Sequence, residues 1–202
     1  MSWYPRIFGD RRKRANTQAL PGQVGVAAVG HYSGEASALD TDGYVAVTDM
    51  QVGEYTLLRT TPTGDFPRNV TLTHADTDAT DTLGTVQVLG RDAEGFLHLE
   101  TLTPVANDTV QGTYCFVEII SITGVDWVIS SPTNEDQIQF GWGDLIGLPY
   151  RQDAKERVFM ATLDGVVDTI AAQRAHPTFI DWNNVQLTTP LTAVDVDIYF
   201  II

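Results

Sequence analysis

Carboxylates at near-alternating positions are the densest chemistry in this sequence. In His74-Ala-Asp76-Thr-Asp78-Ala-Thr-Asp81, Asp76, Asp78 and Asp81 can converge on a hard cation such as Ca²⁺, which takes oxygen ligands at about 2.3–2.6 Å. The bend glycine and closing glutamate of the helix-loop-helix calcium loop are missing, so the segment also reads as a hydrated acidic connection between strands. No other cofactor is expected. His31, His98 and His176 are scattered, and His98, beside Phe96 and Glu100, reads as a packed or surface residue rather than a ligand. Cys115 is the single cysteine. It sits in apolar Tyr114-Cys-Phe-Val117 without a basic neighbour, which predicts an inert buried thiol. The chain has no G-x-S-x-G, H-E-x-x-H or G-x-x-x-x-G-K-[ST], and Gly141-Trp-Gly-Asp144 reads as a packing turn. These observations predict a non-enzymatic protein. A sugar-binding groove would instead need Trp127, Trp142 or Trp182 exposed beside paired carboxylates, a spatial arrangement that spacing does not reveal.

The body is strongly acidic, and the way it reaches that charge is informative. Among 202 residues there are 26 Asp and Glu against 12 Lys and Arg, a net charge of −14, which opposes binding to a polyanion. Lys13 and Lys155 are the only lysines. An Asp-rich, Lys-poor surface repels itself in dilute buffer, whereas at molar salt the Debye length falls to about 3 Å; a halophilic setting is expected. No run of 18 apolar residues and no apolar leader occurs, so neither a membrane span nor a cleavable signal is expected, and synthesis is expected in the cytoplasm.

Residues 1–22 differ from the rest. Arg6, Arg11, Arg12, Lys13 and Arg14 lie among Trp3, Tyr4, Ile7 and Phe8, while Pro5, Gly9, Pro21 and Gly22 discourage a helix. The segment reads as an extended docking arm: Trp3, Tyr4, Ile7 and Phe8 supply apolar anchors, and Arg6, Arg11, Arg12 and Arg14 suit an acidic partner. A second segment, 23–62, holds candidate strands at Val24–Ala28, Tyr44–Thr48 and Glu54–Leu58. The two prolines and the glycine of Thr60–Pro67 precede a main domain over 63–202.

That domain opens with three strands, over Val70–Thr73, Thr85–Val88 and Phe96–Leu102, alternating at period two. Arg91-Asp-Ala-Glu-Gly95 joins the last two, with Gly95 free to take φ > 0 and Asp92 able to bond its own backbone. Tyr114–Thr123 reads as one central strand, Trp127–Ile129 and Gln137–Phe140 as short strands, and Gly141–Pro149 as a Gly-rich turn. Val158–Leu163 and Val166–Ile170 form a hairpin on Asp164-Gly165, Ile170–Ala175 fits one helical turn at most, and Val194–Ile202 is an amphipathic strand. The expected class is all-β, an antiparallel β-sandwich or jelly-roll-like barrel with an extended N-terminal arm.

Several of these residues carry a resemblance. Val70–Pro104 followed by Tyr114–Ile122, with Gly90-Arg-Asp92-Ala-Glu-Gly95, Glu100-Thr101, Gly147-Leu-Pro149 and Asp164-Gly165, resembles virion structural proteins of tailed double-stranded DNA viruses. It covers roughly residues 69–202 and leaves the arm outside. The resemblance implies a capsid decoration (cement), turret or head-fibre protein, with a tail-tube or head-tail adaptor subunit as the alternative, and a carbohydrate-binding β-sandwich for host attachment as a further one. Such a protein would sit on the virion surface as a homo-oligomer, expected as a trimer, with the major capsid protein as partner. The Asp-rich composition makes a haloarchaeal virus the matching setting. Salt adaptation predicts that the melting temperature rises from dilute to molar KCl; a fall would exclude it.

Overall fold

The computed structural model describes residues 29–77, 81–130, 135–152, 154, 157–176 and 178–201. The docking arm and the candidate strand Val24–Ala28 therefore lie outside the described residues.

Among the described residues, fourteen strands form three antiparallel sheets and no α-helix occurs. The first sheet has the order β1 (Val29–Ala36), β14 (Val194–Ile201), β10 (Val158–Leu163), β11 (Val166–Asp168). The second runs β12 (Ile170–Arg174), β13 (Asn184–Leu187), β9 (Gln137–Gly147), β4 (Arg68–Ala75), β7 (Thr109–Phe116), with β2 (Asp40–Asp49) also paired to β9. The third is β3 (Gly53–Glu54), β8 (Glu118–Val125), β5 (Thr85–Arg91), β6 (Leu97–Leu102). The all-β class is as expected. From Val29 on, the segment before residue 63 is woven into the body: β1 pairs along its whole length with the C-terminal β14, and β2 pairs with β9.

The second sheet walls two cores. Its Val70, Leu72, Phe116, Ile138, Phe140 and Trp142 pack with Val86, Val88, Leu102, Ile119 and Ile122 of the third sheet and loop residue Trp127. Farther along, Ile146, Val185 and Leu187 meet Val158, Ala161, Val196, Ile198 and Phe200 of the first sheet. Each cluster buries apolar faces that period-two alternation sets up, as expected for Val196, Ile198 and Phe200.

The two hairpin turns form as the sequence predicts. Gly95 has φ 87° and Asp92 Oδ1 accepts the N–H groups of Glu94 and Phe96 at 2.8 and 2.9 Å. Asp164 and Gly165 have φ of 48° and 78°, the left-handed pair of a primed turn. Elsewhere the chain departs from its pattern. Tyr114–Thr123 is not one strand: it breaks at Val117, whose N–H bonds Arg91 O at 2.9 Å, and crosses from β7 in one sheet to β8 in the next. Phe116 and Ile119 nonetheless reach the same core, so the apolar run continues through the corner. Ile170–Ala175 holds strand β12 rather than a helical turn. Of Glu54–Leu58 only Glu54 lies in a strand, and Trp127–Ile129 contributes a single bridge, Thr82 to Val128.

The expected turn at Gly141–Pro149 is largely strand as well. Gln137–Gly147 is the continuous β9, and its glycines mark close approach: a Cβ on Gly141 would lie 1.8 Å from Asp40 O, and one on Gly143 2.7 Å from the Asn69 amide. Asn69 explains why. At its level β4 meets irregularities on both sides, since the two-residue step from Arg68 to Val70 is matched by a four-residue step from Ile146 to Trp142 on β9, and that from Asn69 to Thr71 by a four-residue step from Cys115 to Gln111 on β7. The fully buried Asn69 donates from Nδ2 to Gly112 O at 3.0 Å and accepts the Leu145 N–H at Oδ1 at 3.0 Å. Neighbouring Arg68, also fully buried, donates to Gly143 O and to Ser37 O. Polar side chains thus replace the ladder bonds that both bulges remove.

Asn69→Ala leaves Gly112 O and the Leu145 N–H unpaired in the interior. A loss of about 2–4 kcal/mol is expected, read as a lower urea midpoint at unchanged slope; a loss under about 0.5 kcal/mol would mean the bulges satisfy themselves.

Candidate functional site

The polar group that stands out lies where β6 passes the loop before β13. Asp92 closes the β5–β6 turn, His98 is on β6, and Asp181 lies in a 3₁₀ turn, Ile180–Trp182. Asp92 is held rigidly, because its Oδ1 is taken by the two turn N–H groups and its Oδ2 lies 2.8 Å from His98 Nε2. The other ring nitrogen, Nδ1, faces Asp181 Oδ2 at 3.4 Å. One imidazole therefore stands between two carboxylates whose side chains are 2% and 0% exposed, while its own is 19% exposed.

Asp181 is the unusual member. Neither of its carboxylate oxygens has a hydrogen-bond partner among the described residues. Burial raises its pKa; His98 and the backbone work in the opposite direction, and the Asp92 charge adds to the rise. The turn that carries it is tied down by Asn183, whose side chain accepts the His176 N–H and donates to His176 O and Phe179 O at 3.0 and 3.3 Å. His176 Nδ1 in turn accepts from Thr178 and Phe179.

A third carboxylate lies nearby. Glu100, two residues along β6, is 7% exposed and its Oε1 accepts the Thr113 N–H, the Thr113 hydroxyl and the Tyr114 N–H. Those donors belong to the β7 bulge, and Asn184 Nδ2 donates to Thr113 O at 2.9 Å. Burial raises the Glu100 pKa, opposed by these donors, with the Asp181 charge adding to the rise.

Aromatic rings frame the cluster. A cleft of about 250 Å³ is lined by Asp92, Glu94, Phe96, His98, Arg151 and Phe179 among others, and a smaller one of about 140 Å³ by His98, Leu99, Tyr114, Phe179, Asp181 and Trp182. Trp182 is 37% exposed and stands 5.4 Å from both the Tyr114 and His176 rings. Trp127 and Trp142 are buried in the core. Arg151 pairs with Glu94 at the rim.

No family model, curated protein or solved structure matches this chain. The chemistry of the cluster has to be read from its own atoms.

The residues singled out from the sequence lie elsewhere. Trp3, Tyr4, Arg6, Ile7, Phe8, Arg11, Arg12, Arg14 and Asp78 are outside the described residues. Asp76 is exposed and its N–H donates to Asn107 Oδ1. Asp81 is occupied structurally: Oδ1 accepts the Ser130 N–H and hydroxyl at 2.7 and 2.9 Å and Oδ2 accepts the Asp136 N–H at 3.2 Å, and the Ser130 N–H leads in lowering its pKa. His74, which opens that acidic stretch, pairs in the interior with Asp136 at 3.0 Å. Cys115 is buried and burial pushes its thiol pKa upward, in keeping with an inert thiol. His98, expected to be packed or on the surface, is half-buried on β6 and bridges two carboxylates. The turn role of Asp92 was legible from its spacing to Gly95; Asp181, some eighty residues away, carries no sequence signal linking it to either.

A carboxyl whose folded pKa is raised favours the fold while protonated. That contribution is complete below the unfolded Asp value of about 3.9 and is lost as pH rises through the folded value. Asp181→Asn removes the titration, so the variant's stability relative to the parent is expected to increase between pH 3.5 and 7 in urea unfolding. A difference that declines over this range would contradict the buried, raised carboxyl.

Proposed function

We propose that the protein is a non-enzymatic structural subunit of a tailed-virus particle, a capsid decoration or turret protein that packs on the major capsid protein as a homotrimer. The observation that carries this reading is the apolar outer surface at the edge of the third sheet. On edge strand β6, Leu97 and Leu99 are 54% and 53% exposed and alternate with His98 and Glu100, with Phe96 exposed just before them. Leu89 pairs with Leu99 across the β5–β6 ladder, and Ile120 on β8 is exposed as well. Large side chains displayed on rigid strands suit packing against another protein. The first sheet ends in a comparable edge, β11, with Val166 and Val167 71% and 68% exposed. Exposed apolar edges invite association, which a particle subunit turns to use, while the arm of Trp3, Tyr4, Phe8 and the arginines supplies the grip on the shell.

A carbohydrate-binding role in host attachment is the second reading, and Trp182 favours it. Its partly exposed ring lines a cleft together with Tyr114 and the carboxylate Asp181, the combination that sugar stacking requires.

Deleting residues 2–14 tests the first reading. Capsid attachment in a co-sedimentation assay should be lost while the melting temperature of the β body is unchanged. Attachment that survives the deletion would overturn the arm's role, and binding to host glycans without binding to capsids would favour the second reading.

A further inference from the structure

We propose that His98 and Asp181 hold a divalent transition-metal cation, of which Zn²⁺ fits the donors best, with Asp92 orienting the imidazole from behind. The inference does not rest on the virion reading.

The geometry has three parts. Asp92, His98 and Asp181 each offer a ligand atom within 4.8 Å of the others. Asp92 Oδ2, at 2.8 Å from His98 Nε2, accepts the ring N–H there and so leaves the lone pair on Nδ1. That arrangement, a carboxylate fixing the tautomer and orientation of a metal-bound histidine, is the usual outer shell of a zinc ligand. On the other side of the ring, Nδ1 stands 3.4 Å from Asp181 Oδ2. Two ligands at about 2.0–2.1 Å from a tetrahedral Zn²⁺ lie roughly that far apart.

The second observation is independent of the cluster's composition. Asp181 has a fully buried side chain, and both its oxygens lack a hydrogen-bond partner among the described residues. A buried carboxylate without donors is costly, and a nitrogen lone pair directed at it adds repulsion. A proton shared between the two atoms, carried by Nδ1 or by the Asp181 carboxyl, or a metal ion between them resolves this. Asp181 can supply one or both oxygens, and coordination positions remain for water or a ligand group, since His98 and Phe179 line both clefts. One imidazole with carboxylate favours a borderline ion over Ca²⁺ or Mg²⁺, which prefer oxygen alone.

The test uses the full chain, stripped with chelator and titrated with ZnCl₂ and separately with CaCl₂, by calorimetry and thermal melting. Zn²⁺ is expected to bind one ion per chain and, at free metal a hundredfold above Kd, to raise the melting temperature by about 5–10 °C; Ca²⁺ should do neither. His98→Ala and Asp181→Asn are each expected to weaken Zn²⁺ by more than about tenfold. Metal-free Asp181→Asn should melt no lower than the parent, because the amide keeps the shape and removes a buried charge. No Zn²⁺ binding, or Zn²⁺ binding that both variants retain, overturns the site. So does an Asp181→Asn variant that loses stability without metal while Zn²⁺ leaves the parent unchanged, because a protonated His98 then staples the two carboxylates.

Discussion

The fold depends on what happens to hydrogen bonds at the middle of its central sheet. Strand β4 has neighbours on both sides, and at the level of Asn69 both of them carry extra residues. Backbone groups stranded there are buried, so something other than the ladder has to pair them. Asn69 does this with one amide, donating to the β7 bulge and accepting from the β9 bulge, while Arg68 covers Gly143 O beside it. An amide fits because it is both donor and acceptor across a short span; a carboxylate or a lysine could serve only one side. The glycines of β9 follow from the same constraint, since any side chain at Gly143 would occupy the amide's place.

This arrangement lets one sheet serve two cores. On either side of the irregularity β9 contributes Phe140 and Trp142 to one cluster and Ile146, followed by Leu148 just past the strand, to the other. Along one edge of β9, β2 pairs with the first part and β13 with the end, while β4 runs along the opposite edge. A regular ladder would keep a single partner on each edge. The bulges bend the sheet so that the first and third sheets each find a face to pack on.

The same bulge shapes the polar cluster. Its freed N–H groups at Thr113 and Tyr114 draw Glu100 inward, and Asn184 reaches the Thr113 carbonyl. Glu100 is thereby fixed on the face of β6 that also carries His98, whereas Leu97 and Leu99 face outward. Edge strand β6 thus has two characters, a charged inner face against the loop of Asp181 and an apolar outer face turned to solvent.

Much of the architecture was determined by local sequence. Period-two alternation placed β4, β5, β6, β10 and β14, and Asp92 with Gly95 and Asp164 with Gly165 specified their turns, because side-chain direction and positive φ are properties of neighbouring residues. Where the pattern failed, a distant partner had changed its meaning. Gly141, Gly143 and Gly147 look like a turn until Asp40, Asn69 and Cys115 are seen pressing on them. Gly-rich β1 shows little apolar alternation and is defined by β14, whose register it shares from Val29 to Ala36. Asp92, His98 and Asp181 come from a turn, a strand and a remote loop, so only the packing of that loop against β6 brings them together. Composition and alternation decide which faces are buried; which carboxylates meet a histidine is decided by long-range contacts that no local spacing encodes.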